Sequence, residues 1–170
     1  VLHEKAITVE ADRDERTMPG REDSRLRSAD VTMRKQITGY ERRDRSTGEP
    51  IGQFPLELPE TTLSTEALYL TVPPPVEAEM RAREGEFAGG IHAAEHALIS
   101  MFPVELLCDR RDIGGLSTPM HPHTGRSTIF IYDGYPGGVG LTARAYEDMA
   151  SLVTRTLEMV SDCDCTDGCP

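Results

Sequence analysis

Ile91, Ala94, Leu98 and Met101 fall on one stripe at helical spacing, so residues 87–101 are expected to form a helix with one buried face, closed by Pro103. Residues 141–160 repeat the pattern through Ala145, Met149, Leu152 and Met159 and predict a second long helix. Between these two, Ser127-Thr128-Ile129-Phe130-Ile131-Tyr132-Asp133 reads as an apolar strand. Upstream, residues 67–72 form another strand stopped by Pro73-Pro74-Pro75, and residues 76–83 have helix-forming composition with an acidic first turn. Residues 31–40 and 51–56, separated by a turn at 46–50, predict a β-hairpin. Residues 11–30 are almost all polar or charged and predict a loop or mobile strip. The expectation is an α+β domain: an antiparallel sheet packed with two principal helices, ending in a cysteine-rich zinc knuckle. It divides into a charged N-terminal strip (1–30), the α+β body (31–162) and the knuckle (163–170).

Composition narrows this picture. The 170 residues suffice for one domain with a real core and leave no room for a pair of motor domains as well. No run approaches the roughly 18 apolar residues of a membrane-spanning helix, and the charged N-terminus has no signal-peptide pattern, so a soluble, cytoplasmic protein without a membrane partner is expected. The net charge of −11 lies wholly in residues 51–170. Such a surface repels phosphates and argues against a free-standing nucleic-acid binder. Any DNA contact is expected from local basic clusters, here Arg42, Arg43 and Arg45.

Four motifs carry candidate chemistry. Cys163, Cys165 and Cys169 form a Cys-x-Cys-x3-Cys run, three of the four ligands that a structural zinc requires. The chain stops one ligand short and begins with Val1, which reads as a piece of a longer protein. Cys108 is a possible fourth ligand or a buried small hydrophobe. His92-Ala93-Ala94-Glu95-His96 places two histidines on one helical face with a neighbouring carboxylate, the arrangement of a zinc hydrolase in which Glu95 deprotonates bound water. That alternative needs a third protein ligand, for which Glu147 and Glu158 are candidates. The other reading has His92 and His96 bordering a packed face and bonding to the sheet, with Glu95 fixing a tautomer.

Asp133-Gly134-Tyr135-Pro136-Gly137-Gly138-Val139-Gly140 lies between strand and helix. It is either a turn permitting close packing or a cradle of N–H groups in which Gly137 and Gly138 meet DNA phosphate. It lacks the Gly-Lys-Ser/Thr of a nucleotide-binding P-loop, so nucleotide hydrolysis is not expected here. His121-Pro122-His123 is expected in a solvated polar loop.

Taken together, the blocks 89–98, 108–115 and 129–141 and the terminal cysteines resemble, in order and spacing, the C-terminal zinc-binding (MZB) domain of MrfA-type DNA helicases, members of the DEAD/DEAH-box superfamily. The resemblance covers residues 31–170. It implies a parent that is an ATP-dependent, 3′-to-5′ DNA-translocating helicase used in DNA repair, with two RecA-like motor domains before this segment. ATP and magnesium would belong to that motor, and DNA would be met through the parent. In the family the cluster reads Cys-x-Cys-x3-Cys-Pro-x-Cys, which implies that Cys163, Cys165 and Cys169 bind zinc and that the fourth cysteine follows Pro170.

Overall fold

Strand Arg126–Asp133 is buried along nearly its whole length, because packed layers cover both of its faces. It is β6 of the computed structural model, which describes residues 1–18, 21–83 and 86–165. The other strands are β1 (Leu2–Met18), β2 (Arg21–Arg43), β3 (Pro50–Pro55), β4 (Thr61–Thr71) and β5 (Ile113–His121). All pair antiparallel, in the order β1-β2-β4-β6-β5, with β3 paired to the end of β2. The helices are α1 (Pro74–Ala82), α2 (Phe87–Leu106), α3 (Leu141–Glu147) and α4 (Met149–Ser161). The α+β class and the antiparallel sheet are as expected, with four helices where two principal ones and a shorter one at 76–83 were expected. No described helix is long and apolar enough to cross a membrane.

Period-two alternation splits the core into two layers. Leu26, Leu68 and Ile131 face the helices and pack with Leu98, Phe102, Tyr146, Met149 and Leu152. Ile7, Val31, Tyr69, Phe130 and Tyr132 form a separate cluster on the other face. The sheet curls over that cluster until its two edge strands meet. His121 Nε2, on β5, lies 3.0 Å from the Ile7 carbonyl oxygen on β1. His121 is therefore buried, not solvated in a polar loop. It stacks against Phe130 with ring centroids 4.7 Å apart.

Four further expectations are corrected. Residues 11–18 and 21–30 are strand, not loop, and build the outer half of a long β1–β2 hairpin. Buried Met18, Leu26 and Ala29 anchor it to the core, and complementary charges tie its exposed positions: Glu15 stands opposite Arg27 and bonds to it, and Arg13 reaches Asp30 at 2.6 Å and also Glu66. Pro103 does not close α2, which continues to Leu106 and ends on Leu107 in the left-handed region (φ 53°). The fully buried Phe102 holds that stretch in place, so packing overrides the missing proline N–H. The buried stripe of α2 runs through Phe87, Ile91, Glu95, Leu98, Ile99 and Phe102, with Glu95 where Ala94 was expected. Finally, the helix expected at 141–160 breaks at Asp148 (φ −120°, ψ 28°), and Met159 is 40% exposed.

Candidate metal centre

Helix α2 can lie low on β5 because β5 carries Gly114 and Gly115 directly after its first residue, Ile113. A Cβ on residue 115 would stand 2.6 Å from both Oε1 of Glu95 and Cδ1 of Ile99, and one on residue 114 would strike the Tyr132 ring. The bare strand lets a glutamate enter the helix–sheet interface, where Glu95 is only 4% exposed. Ser117, two residues along the strand and on the same face, donates its hydroxyl to Glu95 Oε2 at 2.7 Å. His92 Nδ1 lies 3.2 Å from the same oxygen and 3.3 Å from Ser117 Oγ. One turn further, the His96 ring stands edge-on to His92 with centroids 4.5 Å apart.

Ligand atoms of His92, Glu95 and His96 all fall within 4.8 Å of one another, the one such group of three among the described residues. Zinc holds imidazole nitrogen and carboxylate oxygen at about 2.0–2.2 Å, so modest rotation of the two exposed imidazoles would bring all three onto one ion. The donor set fits zinc. The group opens into a cavity of about 500 Å³ whose wall also carries His3, Lys5 and Arg110. Burial, with Lys35 and Lys5 nearby, lowers the His3 pKa. On the far side of β5, burial and then the charge of Glu95 raise that of Tyr132. Ser117, His3, Lys5 and Arg110 escaped the sequence reading because β5 was not recognised and the pairing of β1 was unknown.

The other expected site residues lie apart. Glu147 binds Arg16 at 2.7 Å, and neither it nor Glu158 joins the triad, so the hydrolase loses its expected third ligands. Cys108 is half-buried against the helical core, its thiol pKa raised by burial and by Asp112, as suits a small hydrophobe. It belongs to no group of three potential ligands among the described residues. Cys163 and Cys165 follow α4 and are exposed, while Cys169 lies outside the described residues. Arg42 lies over Phe54, with 5.6 Å to the ring centroid, and Arg43 pairs with Glu41 at 2.5 Å. Arg45 sits in the exposed turn between β2 and β3.

The glycine-rich loop is already filled from within. Asp133, fully buried, accepts from the N–H groups of Val139 (2.7 Å), Leu141 (3.2 Å) and Thr142 (2.9 Å). Gly137 N–H donates to the Ser64 carbonyl and Gly138 N–H to that of Tyr135. Both glycines have φ of 78°, and a Cβ at 138 would meet Glu66. The loop is a packed turn in which the N–H groups of Gly137 and Gly138 already have acceptors within the chain, which favours the turn over the phosphate cradle.

Residues 94–170 match the family model of the MrfA Zn-binding domain, MZB. The ATP-dependent helicase YprA of Bacillus subtilis is 34% identical over 145 residues, 85% of this chain and 19% of the relative. The protein MJ1572.1 of Methanocaldococcus jannaschii is 40% identical over 83 residues, 47% of this chain and 74% of that protein. A crystal structure of the DUF1998 helicase MrfA bound to DNA matches with a TM-score of 0.72 and 28% identity, over 99% of this chain and 22% of that one. The chain thus spans about a fifth of the length of the helicases it matches. With the family model, the sequence relatives and the fold in agreement, this chain belongs to the MrfA zinc-binding domain family.

Proposed function

We propose that this chain is the accessory domain of an ATP-dependent DNA helicase, bracing the motor and helping to guide the DNA strand. The observation that carries the reading is the likeness of nearly the whole chain to part of a helicase bound to DNA. ATP and magnesium then belong to RecA-like motor domains of the same parent, which works in DNA repair in the cytoplasm. Cys163, Cys165 and Cys169 hold a structural zinc, completed by a further ligand. Their chemistry suits it, since thiolates are preferred structural zinc ligands and Cys163 and Cys165 stand together just beyond α4. Such a zinc would cross-link the tail where the helix ends.

On the DNA side, Arg45 has no ion pair among the described residues, and with Arg42 and Arg43 it offers cationic groups on the β2–β3 turn, interleaved with Glu41, Asp44 and Glu49. In a domain of net charge −11, that turn suits a local phosphate contact better than a broad binding face. The test is DNA-stimulated ATPase and unwinding by the parent protein with and without residues 31–170. Loss of unwinding is expected; full activity after deletion would contradict the proposal.

The assembled His92–Glu95–His96 group favours a second reading, a zinc-dependent hydrolase. It is the weaker of the two, because Glu95 is buried and held by Ser117, and neither Glu147 nor Glu158 stands within reach.

A further inference from the structure

We infer that His92, Glu95 and His96 form a second divalent-metal site, separate from the cysteine tail, whose open side takes an anionic oxygen ligand of the phosphate class. Three observations converge. First, donors of three side chains meet within 4.8 Å on adjacent turns of one helix. Second, Glu95 is a buried carboxylate whose hydrogen bonds, from Ser117 and His92, both fall on Oε2. Oε1 has no hydrogen-bond partner among the described residues, and no Lys or Arg pairs with Glu95 there. A carboxylate that faces two imidazoles with no Lys or Arg paired to it leaves room for a cation held jointly by the three side chains. Ser117 then plays the part of an outer-shell residue that fixes the carboxylate's orientation.

Third, the cavity in front of the group is basic. Lys5 has no ion-pair partner among the described residues, and Arg110 reaches the same wall, where its guanidinium donates to Ser100 Oγ at 2.6 Å. These cations would repel a bare metal ion but complement one carrying an anion. With three protein ligands, a tetrahedral ion keeps one position open, toward that wall. The site binds; no bond is made or broken in it.

The experiment is titration of Co²⁺ into the full chain and into the chain with Cys163, Cys165 and Cys169 all changed to Ser. The cysteine-tail variant is expected to bind one equivalent, with visible d–d bands and no thiolate charge-transfer band. Adding His92→Ala and His96→Ala should abolish those bands, whereas inorganic phosphate should shift them, with Lys5→Gln weakening the shift. A folded tail variant that binds no cobalt overturns the site, and a spectrum indifferent to phosphate overturns its ligand. If the tail variant does not fold, the decision passes to the otherwise wild-type chain. There His92→Ala with His96→Ala must remove one metal equivalent while leaving the thiolate band, and unchanged stoichiometry refutes the inference.

Discussion

Gly115 has no side chain where Glu95 needs the room: a Cβ at 115 would stand 2.6 Å from the glutamate's Oε1. Gly115→Ala is therefore expected to push α2 away from β5 or to break the Ser117–Glu95 bond. The cost should be about 1–3 kcal/mol, in line with overpacking elsewhere, and urea unfolding monitored by circular dichroism will measure it. A stability equal to that of the parent would mean that Glu95 adjusts freely.

Asp133 accepts from three N–H groups at once, the one from Thr142 fully buried and those from Val139 and Leu141 partly so. Asp133→Ala strands the buried donor and frees the other two to water, and the loss should be about 1–3 kcal/mol, the cost of an orphaned buried donor. Amide exchange at Val139, Leu141 and Thr142 should accelerate together. Acceleration at only one of the three would show that the carboxylate does not act as a common acceptor.

Tyr69 donates to Asp12 at 2.6 Å, and His123 Nε2 lies 3.1 Å from the other Asp12 oxygen. Burial alone would raise the Asp12 carboxyl, but these two hydrogen bonds together with the charges of His123 and Arg27 outweigh it and hold the pKa below the ordinary carboxylate value. A depressed folded-state pKa contributes stability above the unfolded pKa, near about 4, and loses it as pH falls through the folded value. Tyr69→Phe should thus be less stable than the parent at neutral pH, by about 1 kcal/mol or less given the partial exposure of Asp12. The gap should narrow below about pH 4. Melting curves of both proteins from acid to neutral pH check this, and a gap constant across the range would argue against the linkage.

Leu107 ends α2 with φ of 53° while its side chain is 94% exposed. A left-handed conformation costs a residue with a Cβ about 1–2 kcal/mol, and the exposed side chain offers little packing in return. Leu107→Gly should therefore raise the melting temperature, with a gain on the order of 0.5–1 kcal/mol after the added freedom of the unfolded chain is subtracted. A fall in melting temperature would show that Leu107 is packed in solution.

The centre of the fold was legible because its physics is local: β6 contains the apolar run Ile129-Phe130-Ile131-Tyr132, and the β2–β3 hairpin carries its own turn. The rest depends on partners distant in sequence. Strand β5 hides behind Gly114 and Gly115, poor strand formers that are required only because Glu95 and Tyr132 lie above and below them. Residues 11–30 contain too little apolar sequence to suggest a strand, and the structure shows that three buried residues, Met18, Leu26 and Ala29, with pairs such as Glu15 and Arg27, hold the hairpin. At the metal centre, the helical spacing of His92 and His96 was readable. Ser117, Lys5 and Arg110 were not, since the register of β5 and the closure of the curled sheet bring them there.

Asp133 also decides what the loop needs in order to close. A turn that took its acceptor from an outside anion would tighten and loosen as that anion came and went. This one carries its own carboxylate, so its closure waits on no ligand.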